Sequence, residues 1–349
     1  MNSHCLDQIR ASVSQILAGA ALPGVAIAAY IDGQLVLETS IGDRDLQQTA
    51  PLPVDARFYI YSITKPLIAV AVMAQVKAGR LHLDMPIQQY WPDFPVESPI
   101  TLRQILSHTG GLPDYGGLPA YSEAVKSTPD LPWTAEMFLD VARTQGLMFE
   151  PGTSWFYSNL GYLALKILLE RTTDQSLQDR LNELFFAPLA LKQTLVATSL
   201  DDVVGLTPGY TNTWSDERED MAQRYHPGWV SHGVVVSTAA ELAKMIDALF
   251  QGRILPLSSI EQMTQPLKVF GHHPPFTAVG YGLGLWVDTA SPYGRVTGHT
   301  GEGPGYSVAA FHFPKLSERP TTITALVNRD RSNAGLDLVY AVAAQLAAA

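Results

Sequence analysis

Cysteine is nearly absent. Cys5 is the only one in 349 residues, so no internal disulfide can form. No metal-ligand spacing surrounds it, and we read it as an incidental thiol. Positive charge is also short: 23 Lys and Arg stand against 33 Asp and Glu, a net charge of −10. A nucleic-acid partner is therefore not expected. No apolar run reaches the roughly 18–20 residues that span a bilayer. The chain carries no Gly-x-Ser-x-Gly elbow, no His-Glu-x-x-His, no glycine-rich phosphate loop and no internal repeat. These absences leave α/β-hydrolase, zinc-hydrolase and nucleotide-binding readings without support. His272 and His273 stand together, but in a proline-rich loop, where exposure is expected rather than ligation. No metal and no cofactor is expected.

The length calls for one large composite domain or two. Residues 16–22 faintly resemble a signal core, yet Asp7 precedes them and no basic cluster leads in. Leu6, Ile9, Val13, Ile16 and Leu17 recur at helical spacing instead, which predicts an amphipathic first helix. A cytoplasmic location follows, or a periplasmic or secreted one if the N-terminus is processed. Pro23-Gly24 makes a turn, 25–31 reads as a buried strand, Asp32-Gly33 as a hairpin and 34–40 as the partner strand. From Gly79 to about Pro227 helical patterns take over. Thr101, Thr134 and Ser176 are expected at or near helix starts, 159–170 as a further helix, and Pro188 as a stop. Thr238 to Glu241 predicts a capping box. Strands return at 281–287, 294–298, 306–313 and 321–327, before an alanine-rich last helix from about 334. This order predicts an α/β fold of the α+β type. Both chain ends build one antiparallel sheet flanked by helices (1–78 and 228–349), and a mostly helical lobe (79–227) is inserted between them. The active site is expected at their junction.

The chemistry centres on Ser62-Ile-Thr-Lys65, which runs into a uniformly apolar helix. Positions i and i+3 of a helix lie about 5–6 Å apart on one face, so Lys65 can reach the Ser62 hydroxyl. A serine needs a neighbour to take its proton, and burial pushes a lysine toward the neutral form that can do so. Pro66 fits only near a helix start. Tyr157-Ser158-Asn159 opens a second helix. A tyrosine in a cationic pocket can have a lowered pKa and act as a base, and Asn159 offers an amide. Tyr210-Thr211-Asn212 has the same spacing in a bare loop, and we rank it below Tyr157. Gly298-His299-Thr300-Gly301, at the end of a predicted strand, lets backbone approach a ligand closely. A second His-Thr-Gly, at His108, ends a helix and reads as structural.

Together these pieces resemble the serine β-lactamase and penicillin-binding-protein superfamily, in its class C-like branch of β-lactamase-related hydrolases and esterases. The matching residues are Ser62-Ile-Thr-Lys65, the run from Thr101 to Pro113, Glu150-Pro-Gly with Phe156-Tyr-Ser-Asn159, Gly233 with Ser237-Thr-Ala239, Tyr281-Gly-Leu-Gly284, and Gly298-His-Thr-Gly301 with Pro304-Gly305-Tyr306. They fall in the family's order and cover about residues 20 to 345.

The resemblance implies a β-lactamase/transpeptidase-like fold and two-step acyl transfer. Ser62 attacks a carbonyl, and Lys65 and Tyr157 manage the proton as a coupled pair. Asn159, His299, Thr300 and Gly301 contact the substrate, and the backbone N–H groups of Ser62 and Glu302 hold the oxyanion. Many β-lactam-handling members carry lysine where this chain has His299. A histidine is mostly uncharged at neutral pH, and it is common among esterase-like and peptidase-like relatives. An esterase acting on small esters, amides or peptides is therefore the leading expectation. A β-lactamase or D-amino-acid-directed peptidase comes next, and a penicillin-binding or sensing module with little turnover is the alternative of another class. If His299 meets an anionic substrate group, affinity should fall as pH rises through about 6–7. The Glu302 side chain would oppose an oxyanion unless it points away. The oligomeric state is left open.

Overall fold

The computed structural model describes residues 3–215, 217–271 and 273–348. His272 lies outside them. An eight-stranded antiparallel sheet is assembled from both chain ends. Gln34–Gly42 forms one edge. Gly24–Ile31, Arg319–Val327, Tyr306–Leu316, Gly294–Gly303, Trp286–Ser291 and Val279–Tyr281 follow, and Leu267–Lys268 ends the sheet. The hairpin at Asp32-Gly33 forms as read: both residues have positive φ, 51° and 76°, and Ile31 pairs with Gln34.

The unbroken apolar run of the first strand has a simple cause. Its side chains alternate between two cores. Val25, Ile27 and Ala29 face one, where Ser3–Ala20 and Ala334–Ala348 pack. Ala26 and Ala28 face the other, shared with Ala239–Phe250 and the helices between the chain ends. Cys5 belongs to the inner stripe of the first helix with Ile9, Val13 and Leu17, so the thiol is part of the packing rather than incidental. The 16–22 segment is the end of that packed helix and its turn.

Four local expectations need correction. The strand read at 281–287 is two strands, paired Tyr281 to Trp286 around a tight turn. Gly284 sits in that turn at φ 82°, where a Cβ would lie 2.6 Å from the Ala69 methyl, so the turn packs onto the helix behind Ser62. The strand that carries His299 does not end there but runs to Gly303. Thr238 caps its helix through the Glu241 N–H, but the Glu241 carboxylate accepts from Lys192, Gln193 and Thr194 instead of closing a capping box. The helix after Ser176 turns into a π-helical segment at Asn182–Phe186 before Pro188. Among the expected caps, Thr101 forms a full capping box with Gln104, and Thr134 and Ser176 each accept a backbone N–H; Ser158 caps the helix Asn159–Thr173 in the same way.

Candidate active site

Ser62 is delivered by a strained turn. The short strand Phe58–Tyr59 pairs with Val234–Ser237, and Ile60 N–H donates to the Val235 carbonyl at 2.9 Å. Tyr61 then adopts φ 44°, a conformation costly for a bulky residue and held here by its surroundings. Its hydroxyl donates to the Pro304 carbonyl, and its ring lies among Tyr59, Tyr225 and Tyr306. One 3₁₀ turn, Tyr61–Ile63, carries Ser62 into the helix Thr64–Lys77. That helix is buried without a break from Thr64 to Met73, so its run is apolar on every side.

Lys65 is 0% exposed. Its Nζ lies 2.9 Å from Ser62 Oγ, 2.7 Å from Asn159 Oδ1 and 3.4 Å from His232 Nε2. Burial brings its pKa down to about 7, against a weaker upward pull from Asp114. The Tyr157 ring sits 4.8 Å from the same Nζ, and Tyr157 and Ser62 line the same cavity. Burial pushes the Tyr157 phenol up, and the nearby Ser62 hydroxyl offsets only part of this. The direction is opposite to that expected for a tyrosine in a cationic pocket, because desolvation by burial dominates. Tyr210 is elsewhere, in a small ribbon with Glu219–Asp220, where its hydroxyl accepts the Leu46 N–H.

The strand Gly294–Gly303 runs beside Ser62. At Gly301 a Cβ would stand 2.2 Å from the Ile60 carbonyl oxygen, so only glycine permits this approach. His299 is 2% exposed. Its Nδ1 donates to the Thr300 carbonyl at 2.5 Å, and its Nε2 accepts from the Tyr281 hydroxyl at 2.9 Å. Burial first, and Lys65 second, hold its pKa down to about 3. His299 is therefore a neutral wall residue with both nitrogens engaged, which removes the physical basis for attraction of an anionic group. The Glu302 carboxylate turns onto the Asn333 N–H at 2.5 Å, which answers how it avoids the oxyanion position.

Two cavities meet at Ser62. One, of about 380 Å³, has aromatic walls that include Tyr61, Tyr115, Tyr121, Tyr225 and Trp229, with Glu302 and Asp330 among the lining residues and no lysine or arginine. The other, of about 310 Å³, lies between Tyr157, Asn159, Trp286, His299 and Thr300.

Three neighbours, of which His108 and His232 are buried, were not assigned to the site from the sequence. Asp114 accepts from the Asn159 N–H at 2.7 Å and from its side-chain Nδ2 at 3.2 Å, which turns the amide oxygen toward Lys65. It stands directly after the Thr101-to-Pro113 run, and that was the only available signal. The His108 ring lies tilted beside Tyr157, 4.3 Å between ring centroids, and its Nδ1 accepts the Ser158 N–H. Its structural reading holds, but what it supports is the catalytic candidate. His232 had no spacing to mark it.

A serine and a desolvated lysine at the start of a buried helix, beside the strand Gly294–Gly303 of a large antiparallel sheet, fit the β-lactamase/transpeptidase fold. The match to the Beta-lactamase family model runs over residues 9–348, and the chain belongs to that family. It is 28% identical over 307 residues to Penicillin-binding protein 4* of Bacillus subtilis, covering 83% of this chain and 65% of that protein. It is 32% identical over 171 residues to a D-aminopeptidase of Brucella anthropi, covering 49% of this chain and 32% of that protein. The chain thus spans less than two thirds of the length of either. Among solved structures, the D-amino acid amidase from Ochrobactrum anthropi SV3 in complex with D-phenylalanine superposes with a TM-score of 0.84 at 26% identity, covering 99% of each chain. Among the described residues, no helix is long and apolar enough to cross a membrane.

Proposed function

We propose that this chain is a serine hydrolase that cleaves small esters, amides or peptides through an acyl-Ser62 intermediate. The observation that carries this reading is the 2.9 Å approach of Lys65 Nζ to Ser62 Oγ by an amine with a pKa of about 7. At neutral pH much of Lys65 is then the free amine. Ser62 Oγ bonds to the substrate carbonyl carbon as its proton passes to Lys65 Nζ, and the carbonyl π pair moves onto oxygen. We assign that oxyanion to the N–H groups of Ser62 and Glu302. Collapse re-forms the carbonyl and breaks the bond to the leaving group, which takes the proton back from the Lys65–Tyr157 pair. Tyr157, a neutral phenol, relays that proton rather than acting as a standing base. Water repeats the sequence on the acyl-enzyme.

Asn159 has one amide hydrogen left for the acyl side chain, because its oxygen serves Lys65 and its other hydrogen serves Asp114. Thr300 and Gly301 run along the substrate, with His299 as an uncharged wall. The sheet part (1–78 and 228–349) and the helical part (79–227) supply the two sides of this cleft. The aromatic cavity, with two acids and no cation, suits an acyl group that is apolar or carries an amine. It disfavours the carboxylate of a β-lactam. A D-amino-acid amidase or aminopeptidase activity is the second reading. It is favoured by Asp330 and Glu302 beside that cavity and by the names of the relatives.

The test is a panel of nitrophenyl esters, D- and L-amino-acid amides, D-alanyl peptides and a chromogenic cephalosporin, with Ser62→Ala as the blank. The expected result is ester and amide turnover that vanishes in the blank, and a transient acyl mass on Ser62. Equal rates in the blank would overturn the proposal. An acyl mass that persists for hours without product would favour the low-turnover binding module.

A further inference from the structure

Lys65 has a third partner that the mechanism above does not use. His232 is 1% exposed, and its Nε2 lies 3.4 Å from Lys65 Nζ. Its placement is built in. The strand Val234–Ser237 is fastened to the nucleophile turn from both sides: Ile60 N–H donates to the Val235 carbonyl, and Val235 N–H donates to Thr64 Oγ1 at 3.1 Å. Just before it, Ser231 N–H is tied to the Tyr115 hydroxyl, and Gly233 takes φ 87°. His232 is thus held between two anchored points, with its ring aimed at the amine. Its Nδ1 has no hydrogen-bond partner among the described residues, so the ring's polar contact there is the one to Lys65.

The donors can be counted. A neutral lysine amine has two N–H donors and one lone pair. Asn159 Oδ1 is an acceptor and takes one N–H. If His232 Nε2 takes the other, the lone pair is left facing Ser62 Oγ, which is the arrangement a general base needs. If His232 instead carried its proton on Nε2, that N–H would compete with the serine for the lone pair. Resting on the proposed serine-hydrolase reading, we propose that His232 is a positioning residue: its bare Nε2 accepts a hydrogen from Lys65, aims the amine lone pair at Ser62, and supports the ammonium formed when Ser62 gives up its proton. Burial and the nearby Lys65 and Lys166 hold His232 itself neutral, as this role requires.

Other groups also face Lys65. Tyr157, Tyr162 and Asn159 approach from the helix Asn159–Thr173 and the turn before it, and His108 and Asp114 from the loop after Leu102–Leu106. His299 approaches from the sheet. A pH profile reports all of them, so the test must change His232 alone. Phosphonylation of Ser62 by a fluorophosphonate, followed by intact mass across pH, reads the nucleophile without assuming a substrate. In the native protein the rate should rise through a limb near pH 7.

Loss of a hydrogen bond to a charged group corresponds to about one to two pH units. His232→Leu should therefore move the limb down by that amount and slow the plateau at least tenfold, because the amine is a weaker, unaimed base. His232→Gln, whose amide oxygen replaces Nε2, should return the limb to within about half a unit of native. A folded His232→Leu protein with an unmoved limb would overturn the proposal. If that variant does not fold, ¹⁵N spectra of the native histidine rings, assigned by difference from His232→Gln, decide it. A proton on Nδ1 and a bare Nε2 supports the role, and the reverse tautomer overturns it. A native protein with no limb near pH 7 would instead count against Lys65 as the base. That outcome is distinct from failure of the His232 assignment.

Discussion

At the scale of the residue, the site turns on one amine made neutral by desolvation. Lys65 is protonated below about pH 7 and free above it. In the proposed mechanism the free amine is the base, so kcat/KM for an uncharged ester should climb as pH rises through about 7. Substrate affinity should show no separate step at pH 6–7, since His299 is already neutral there. A fall in affinity across that interval would restore a charged role for His299. Tyr157→Phe should lower kcat by about 10²–10⁴-fold, while Tyr210→Phe should leave steady-state kinetics intact. The reverse order would misassign the second motif. The same amine costs stability. Its folded pKa lies below its unfolded value, so the penalty is full below pH 7 and fades as pH approaches 10.5. Lys65→Met should therefore abolish activity yet stabilise the fold by about 1–3 kcal/mol at pH 7. The gain, read by chemical denaturation, should shrink toward pH 10. A destabilised variant would mean that the hydrogen bonds of Lys65 outweigh its desolvation.

At the scale of the element, two close backbone approaches bring the sheet to the helix. Gly301 lets its strand reach the Ile60 carbonyl, and Gly284 lets the turn before Trp286 rest on Ala69 and near Tyr162. Gly301→Ala must displace either the strand or the nucleophile turn. It should cut kcat/KM at least about 10²-fold, because a displacement near 1 Å is enough, with the far-ultraviolet dichroism retained. Native-like kinetics would remove this strand from the site. Here the sequence was readable where a local rule acts, as with Thr101 and Gln104 in their capping box or Asp32-Gly33 in its hairpin. It misled where a distant partner intervened. Glu241 left its capping box for the Lys192–Thr194 backbone and hydroxyl, and 281–287 folded back on itself to pack against a helix more than two hundred residues earlier in the chain.

At the scale of the molecule, charge and core act together. A net charge of −10 and two acids beside the aromatic cavity should select against anions. Nitrophenyl esters matched in size but carrying a cationic, neutral or anionic acyl chain should fall in that order of kcat/KM. The gap should narrow in about 1 M salt as screening shortens the reach of the field. Equal rates would place the acyl group away from that wall. The larger core runs without interruption from the sheet to the helices between the chain ends, with Ala26 and Leu326 in the same cluster as Leu165 and Phe185. The sheet and those helices therefore share one packed interior.

From the sequence alone, the pairing of Ser62 with Lys65, the candidates Tyr157 and Asn159, and a sheet built from both chain ends could be read, because each rests on spacing or on alternation along the chain. Folding in three dimensions decided what surrounds the amine. Desolvation of Lys65, the turning of Asn159 by Asp114, the neutral state of His299 and the approach of His232 all depend on which distant side chains share a space without water. No periodicity encodes that.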